Sequence, residues 1–369
     1  MLLPRLNIER ARLYESLRTA HLERARELDP AAILYRQKRY DFDERLTEGL
    51  HLVHANRLEA AFLLGRSRIR QLEINEPLML SSLPATALAL FAIRLAELLG
   101  SHRTQVVTYA IGNSDPFATP GGPGWKSRVR KMLRRRLARY VWRRVDRIAF
   151  GTLAAQDVYR QVLPPLKEVQ EESLIPALPA ACDCHPDDVK IPARVVYLGD
   201  LSQRKGFPLV LAAWSGVAQQ NPEAALVILG KGAMEAEAIS AGTTNSSVEV
   251  HIDPSRDEIH RFLRQAQVLV LPSQSTATWR EQVGLPIVEG LAHGCSVVTT
   301  TETGLSGWLV DQGHAVVSPQ ATAHDLADAI CKAVASGPFG SEVTASLPDT
   351  DGRLAADAWL FEASPDPAR

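Results

Sequence analysis

The sequence predicts an α/β protein built from two Rossmann-like domains in tandem. Three observations point to this. Short apolar, β-branched runs alternate with helix-patterned segments along almost the whole chain, as parallel strands joined by crossover helices do. A stretch of Pro, Ala, Cys and Asp at 179–192 interrupts that alternation near its middle. The charge changes sign at the same place. Residues 1–190 hold 30 Lys and Arg against 22 Asp and Glu, and residues 191–369 hold 11 against 20.

In the first half the expected strands are 32–35, 50–54, 70–74, 105–109, 147–150 and 169–175. The expected helices are 8–28, rich in charge, then 57–64, 84–99, 125–144 and 154–162. In the second half strands at 194–198, 225–229, 248–252, 268–271, 296–299 and 315–317 alternate with helices at 208–218, 256–265, 285–292 and 324–335. The domains are therefore 1–180 and 193–337, with 181–192 as linker. Residues 338–369 form a tail, with a closing helix around the apolar patch 358–361 and disorder from Ser364 to Arg369. Ligands are expected at the carboxyl ends of the strands.

Composition narrows the class. With 369 residues, 46% apolar and 22% charged, the chain is a globular protein and not a disordered one. Four cysteines at this length make no disulfide framework and are expected as reduced thiols. Arg5, Glu9, Arg10 and Arg12 leave no secretory apolar region. The apolar stretch 78–93 is broken by Ser81, Ser82 and Pro84. It is shorter than the roughly 20 residues of a membrane span and reads as a buried helix.

Residues 272–300, "PSQSTATWREQVGLPIVEGLAHGCSVVTT", carry the chemistry. A strand runs into a loop that ends in Gly284-Leu285-Pro286, and a helix follows with Pro286 suited to its first turn. The glycine allows close backbone approach. The helix N-terminus offers N–H groups and the positive end of its dipole, a setting for a diphosphate. Glu281 and Glu289 flank this turn, so one carboxylate can accept from sugar hydroxyls and the other from a ribose diol. Two glutamates alone would be read as solvated side chains; the Gly-Leu-Pro turn in a strand–loop–helix setting outweighs that.

This stretch resembles the donor-binding signature of retaining GT-B glycosyltransferases of family 4, in which Glu-x7-Glu encloses a Phe-Gly-Leu-Pro-like turn. "VVYLGDLSQRKGFPLVLAAW" at 195–214 resembles the first strand of their second domain with its Gly-Arg-Leu-x3-Lys-Gly loop. "ALVILGKG" at 225–232 and "AQVLVLPS" at 266–273 resemble two further strands, so the likeness covers 193–335. It implies a GT-B fold, two Rossmann-like domains facing across a cleft, and transfer of a sugar from a nucleotide-sugar to a glycan, lipid-linked or small-molecule acceptor. It further implies that Glu281 is catalytic, that Lys205 contacts the diphosphate, that the backbone of Val283, Gly284 and Leu285 binds phosphate oxygens, and that Glu289 holds the ribose. No cofactor or metal is called for, since Lys205 and the helix dipole carry the phosphate charge. The chain departs from the family at Asp200, where Arg is usual, and at Val283, where Phe is usual. Arg204 is either a substitute phosphate clamp or a solvated loop residue. A nucleotide-sugar epimerase and a non-catalytic nucleotide-binding or scaffold protein of the same fold are the alternatives.

The first domain says less. It lacks the family's Gly-Gly turn, and "TYAIGNSDPF" after the strand at 105–109 has no histidine. Asn113 and Asp115 are either acceptor-side groups or a loop Asn and a turn Asp before Pro116. His51 and His54 read as packing residues. Residues 126–147 hold 11 Lys and Arg against one acid, Asp146. Val129, Leu133, Leu137, Tyr140 and Val141 form an apolar stripe expected to dock on the domain's own sheet. The cationic face of Arg128, Arg130, Lys131, Arg134, Arg135 and Arg139 fits an anionic membrane surface or a lipid-linked phosphate, with a plain solvated face as the bland alternative. Nucleic acid is disfavoured because no binding motif accompanies the charge. The expected location is cytoplasmic, peripheral on the inner membrane face if the helix binds lipid. Cys182 and Cys184, beside His185, fall short of zinc spacing, so no metal is assigned. Cys295 and Cys331 read as small core residues.

Overall fold

The computed structural model describes residues 8–39, 42–118, 124–184, 189–276 and 279–362. It divides the chain into two units, Met1–Pro176 with Arg353–Arg369, and Ala177–Gly352. The division falls just after the last strand of the first sheet, ahead of the linker read from composition.

The first unit contains β1 (Arg10–Leu17), α1 (Thr19–Glu27), β2 (Ala32–Lys38), β3 (Leu52–His54), α2 (Arg57–Gly65), β4 (Gln71–Ile74), α3 (Leu83–Leu98), β5 (Gln105–Ala110), α4 (Trp125–Trp142), β6 (Arg147–Phe150), α5 (Leu153–Val162) and β7 (Glu171–Leu174). The strands form one parallel sheet in the order β3-β2-β1-β4-β5-β6-β7.

The helix expected at 8–28 is corrected here. Its first half is β1, an interior strand of the sheet between β2 and β4, and only Thr19–Glu27 is helical. The charges in RARLYESL mislead because two of them point inward. Arg12 is 1% exposed, and Glu15 is buried against Arg36. α4 brings a second correction. Only Ala138, Val141 and Trp142 are buried, while Val129, Met132 and Leu133 lie exposed, so the apolar stripe docks only over the last turns. The apolar stretch at 78–93 leads into α3, which buries Leu83, Ala89, Leu90 and Ile93 in the core. Among the described residues no helix is long and apolar enough to cross a membrane.

The second unit contains β8 (Ile191–Leu198), α6 (Phe207–Gln220), β9 (Ala225–Gly230), α7 (Glu235–Thr244), β10 (Val248–Ile252), α8 (Arg256–Gln265), β11 (Ala266–Leu271), α9 (Leu285–Ala292), β12 (Ser296–Thr300), α10 (Ser306–Asp311), β13 (Ala315–Val317), α11 (Ala323–Ser336) and α12 (Ser341–Ala345). Its parallel sheet runs β10-β9-β8-β11-β12-β13. β11 and β12 are buried along their whole length; β11 reads as a nearly continuous apolar run, while β12 buries Thr299 and Thr300 with their hydroxyls donating to Leu271 O and Ser273 O. Ser255 and Thr322 open α8 and α11 with capping boxes to Glu258 and Asp325.

The expected tail divides. α12 stays with the second unit, and α13 (Gly352–Phe361) leads back to the first. There Ala356, Leu360 and Phe361 pack on Val107 of β5 and Ala149 of β6. Asp357 of α13 accepts from Arg12 at 2.6 Å, and Glu73 of β4 receives both Arg12 and Arg353. Burial alone would raise the Glu73 carboxyl; Arg353 and Arg12 outweigh it and hold it below its ordinary range. The last carbonyls of the chain's final helix are met by Arg147, which donates to Trp359 O at 3.0 Å and Glu362 O at 2.8 Å, and by Gln71, which donates to Phe361 O at 3.0 Å. The disorder expected from Ser364 lies outside the described residues.

Removing one partner of a buried ion pair strands the other charge. Asp357→Ala is therefore expected to lower stability by about 3–5 kcal/mol, read as a reduced urea midpoint by far-UV circular dichroism. A shift no larger than that of an exposed carboxylate, such as Asp29→Ala, would contradict the network's role.

Candidate functional site

In the second unit the strand order reverses direction between β8 and β11. Loops leaving the carboxyl ends of these two strands diverge to opposite sides and leave a crevice, the usual ligand position in an open α/β sheet. The loop after β8 carries Asp200, Arg204 and Lys205; the loop after β11 carries Ser273, Trp279, Glu281 and Gly284.

The two loops meet through a glycine. Gly206 has φ +70°, and a Cβ there would stand 2.0 Å from the carbonyl oxygen of Pro272. Only a residue without a side chain lets the backbones approach so closely. Across this contact Gln274 N–H donates to Arg204 O at 2.8 Å. Lys205 Nζ then reaches Glu281 Oε2, and Ser273 Oγ donates to the same oxygen at 2.9 Å. Lys205 and Glu281 are both buried. Lys205 Nζ also lies 5.4 Å from the centre of the Trp279 ring.

Arg204 stacks over Trp279 at 4.9 Å and donates to Asp200 Oδ2 at 3.1 Å. The residue that replaces the family's usual Arg therefore engages the guanidinium proposed to compensate for it. Asp200 is itself anchored through its carbonyl, which accepts from Tyr197 at 2.8 Å. Burial pushes the Tyr197 phenol well up, so it remains a neutral donor.

Gly284, at φ +85°, turns the chain into α9, and Pro286 sits in the first turn, where its missing N–H costs no intrahelical bond. Ile287 N–H donates to Gly284 O at 2.9 Å and Pro286 has no N–H, so the backbone N–H groups at Gly284 and Leu285, at the positive end of the helix dipole, are the ones placed to favour an anion. Val283 is buried, and Leu285 is exposed. Glu289, one turn on, accepts from Arg256 of α8 at 2.6 Å.

Sequence reasoning missed several supports. Thr303 Oγ1 donates to Val283 O at 2.8 Å, Gly304 N–H to Gln282 O at 2.8 Å, and Thr300 Oγ1 to Ser273 O at 2.6 Å. Arg280 pairs with the buried Glu302 at 2.9 Å. The run of threonines at 299–303, following a strand, was the available signal. Arg256 gave none, since a basic first-turn residue on an exposed helix is ordinary.

The other candidates belong to the first unit. Asn113 is buried in the loop after β5, and Asp115 accepts from Phe117 N–H at 2.8 Å as a turn residue does. In the same region Glu76, which the sequence did not single out, accepts from Gly112 N–H at 3.0 Å and from Tyr159 at 3.3 Å; burial raises its carboxyl. His54 packs its ring on Tyr35 at 5.4 Å. In the second unit Cys182 and Cys184, expected as reduced thiols, are joined as a disulfide. His185 lies outside the described residues.

Comparison with known proteins bears on the second unit's sequence and on the fold. Residues 192–336 match the family described as "Glycosyl transferases group 1". The chain is 30% identical over 142 residues to the amylovoran biosynthesis glycosyltransferase AmsK of Erwinia amylovora, a match spanning 35% of each protein. In fold it is similar to Anabaena HepE, solved in complex with UDP, with a TM-score of 0.63 and 14% identity over 95% of both chains. It is also similar to WaaG, a glycosyltransferase involved in lipopolysaccharide biosynthesis, with a TM-score of 0.53 and 12% identity over 95% of this chain and 100% of that one. The two parallel sheets are those of the GT-B fold.

A methyl group at position 206 has no room against Pro272 O and no favourable backbone. Gly206→Ala is expected to cost about 1–3 kcal/mol, measured by urea unfolding. A neutral result would show that the two loops can separate freely.

Proposed function

We propose that this chain, whose residues 192–336 match the group 1 glycosyl transferases, transfers a sugar from a nucleotide-sugar donor with retention at the anomeric carbon. The observation that carries this reading is the buried Lys205–Glu281 pair beside the Gly284 turn, at the β8/β11 switch point. Lys205 and the N–H groups at the head of α9 take the donor's diphosphate. They are aimed at the negative charge that grows on the leaving group as the glycosidic bond breaks. As the phosphate draws Lys205, Glu281 accepts from the sugar hydroxyls and faces the positive charge developing at the anomeric carbon. Glu289, oriented by Arg256, accepts from the ribose diol.

HepE has been solved with UDP and with UDP-glucose, which supports UDP as the first nucleotide to test here. The names of AmsK and WaaG support a glycan or lipid-linked acceptor, with Asn113 and Asp115 on the acceptor side. One observation favours a non-catalytic nucleotide-binding protein instead: Arg204 is tied to Asp200 where the family places a free cation. Release of free sugar from UDP-sugars without acceptor separates the two readings.

Glu289→Ala is expected to weaken UDP binding by about 1.5–3 kcal/mol, the worth of a hydrogen bond to a charged group. Glu281→Gln should reduce turnover far more than UDP affinity. Calorimetry and donor-hydrolysis rates measure both. Unchanged UDP affinity in the first variant would remove Glu289 from the ribose, and equal losses in the second would move the sugar elsewhere.

The protein is further proposed to sit on the cytoplasmic membrane face through α4. Arg128, Arg130, Arg134, Arg135 and Arg139 are exposed, Lys131 is half-buried, and Trp125, Val129, Met132 and Leu133 are exposed among them. A helix that offers cations and uncovered apolar side chains together suits an anionic lipid interface. Flotation with anionic vesicles should show binding that fades as salt shortens the Debye length from about 10 Å at 0.1 M to about 3 Å at 1 M. Reversal of Arg134, Arg135 and Arg139 to Glu should abolish it and leave UDP binding intact. Wild-type protein that stays unbound at low salt would leave α4 a solvated face.

A further inference from the structure

We propose that Cys182, Cys184, His260 and His293 form a structural zinc site in the second unit. Their ligand atoms all lie within 4.8 Å of one another. A tetrahedral zinc ion with Zn–S of about 2.3 Å and Zn–N of about 2.0–2.1 Å sets its ligand atoms roughly 3.3–3.8 Å apart. His260 Nδ1 and His293 Nε2 are 3.0 Å apart, and Cys184 Sγ is 3.7 Å from His293 Nε2. The two histidine nitrogens need to part by only a few tenths of an ångström, and reduction of the disulfide frees the two sulfurs to separate to the same spacing.

The surroundings orient the ligands. His293 Nδ1 donates to Glu289 O at 2.7 Å, which turns the lone pair of Nε2 toward the cluster, as outer partners of metal-bound histidines do. Cys182 N–H donates to Ala292 O at 2.8 Å and fixes the cysteine segment on the end of α9. Arg264 Nη1 lies 3.7 Å from Cys184 Sγ, a cation beside the sulfur that must become a thiolate. Two sulfurs and two imidazole nitrogens in this shape select zinc over harder ions. A thiol or phosphine reductant, oxidised in turn, supplies two electrons as the S–S bond breaks and two thiols form with protons from solvent; zinc binding then releases those two protons with no further change in sulfur oxidation state. The Cys182–Cys184 disulfide is the oxidised alternative of the same pair.

Spacing concealed the site. Cys-x-Cys has no second pair nearby in the sequence, and its partners come from the middle of α8 and the end of α9. The ion would join three segments. α9 carries the Gly284 turn at its other end, and α8 carries Arg256, one turn from His260.

The test uses the full chain purified in a phosphine reductant. Elemental analysis is expected to find about one zinc per chain. After chelator treatment, cobalt(II) should restore one equivalent of binding with the visible absorption of a four-coordinate thiolate–imidazole site. Cys184→Ser and His260→Ala should each lose the bound metal, and Cys331→Ser should keep it. Reduced wild-type protein that takes up neither zinc nor cobalt overturns the proposal, whether or not the variants fold. So does a disulfide that survives reductant in the native state, seen as a chain two hydrogens lighter than the fully reduced one.

Discussion

A guanidinium in the middle of a parallel sheet is the constraint on which the first unit rests. Arg12 lies on an interior strand with almost no contact with water, and an isolated charge there would cost many kcal/mol. Two carboxylates meet it, Glu73 from the neighbouring strand and Asp357 from the last helix. The first strand of the chain is thus satisfied only when its last helix has arrived, more than 300 residues later. The whole second unit must be made before the first sheet has all its partners. Contacts of such sequence separation close slowly, because the loop entropy falls due before the contact forms.

The same arrangement explains what the sequence disclosed and what it hid. The second unit was legible because β11, covered on both faces, is written almost wholly in apolar residues, and because the β-branched Val and Thr residues of β12 read as a strand. The first strand was hidden because Arg12 and Glu15 look like solvent-facing charges, and nothing local says that Glu73, Asp357 and Arg36 await them. α7 and α10 escaped notice since they bury little, Ala238 in one and Leu309 in the other. At the site, Glu281, Gly284 and Lys205 could be read from motifs. Arg256, Glu302 and Thr303 could not, because each acts through a residue distant in sequence.

On the proposed function, the Lys205–Glu281 pair is set in place before a ligand enters. Each charge is held by the other, and the carboxylate by Ser273 as well, within loops tied down from below by Thr300 and Thr303. A buried ion pair of this kind adds little to stability on its own, since desolvation offsets most of its attraction. Its value is positional. The cation and the carboxylate are already set apart from water, where their fields act at full strength on whatever replaces them as partner.

The close approach of Gly206 to Pro272 also limits how this pocket can change. Two loops that touch backbone to backbone cannot drift independently, because a shift in one is a collision in the other. On the proposed function, variation in ligand choice then falls to the loop residues beside that contact, such as Gln274, Trp279 and Arg280, with 206 and 272 left as a fixed seam. An engineer seeking a new specificity would randomise those residues, and a lineage diverging under selection would accumulate its differences there.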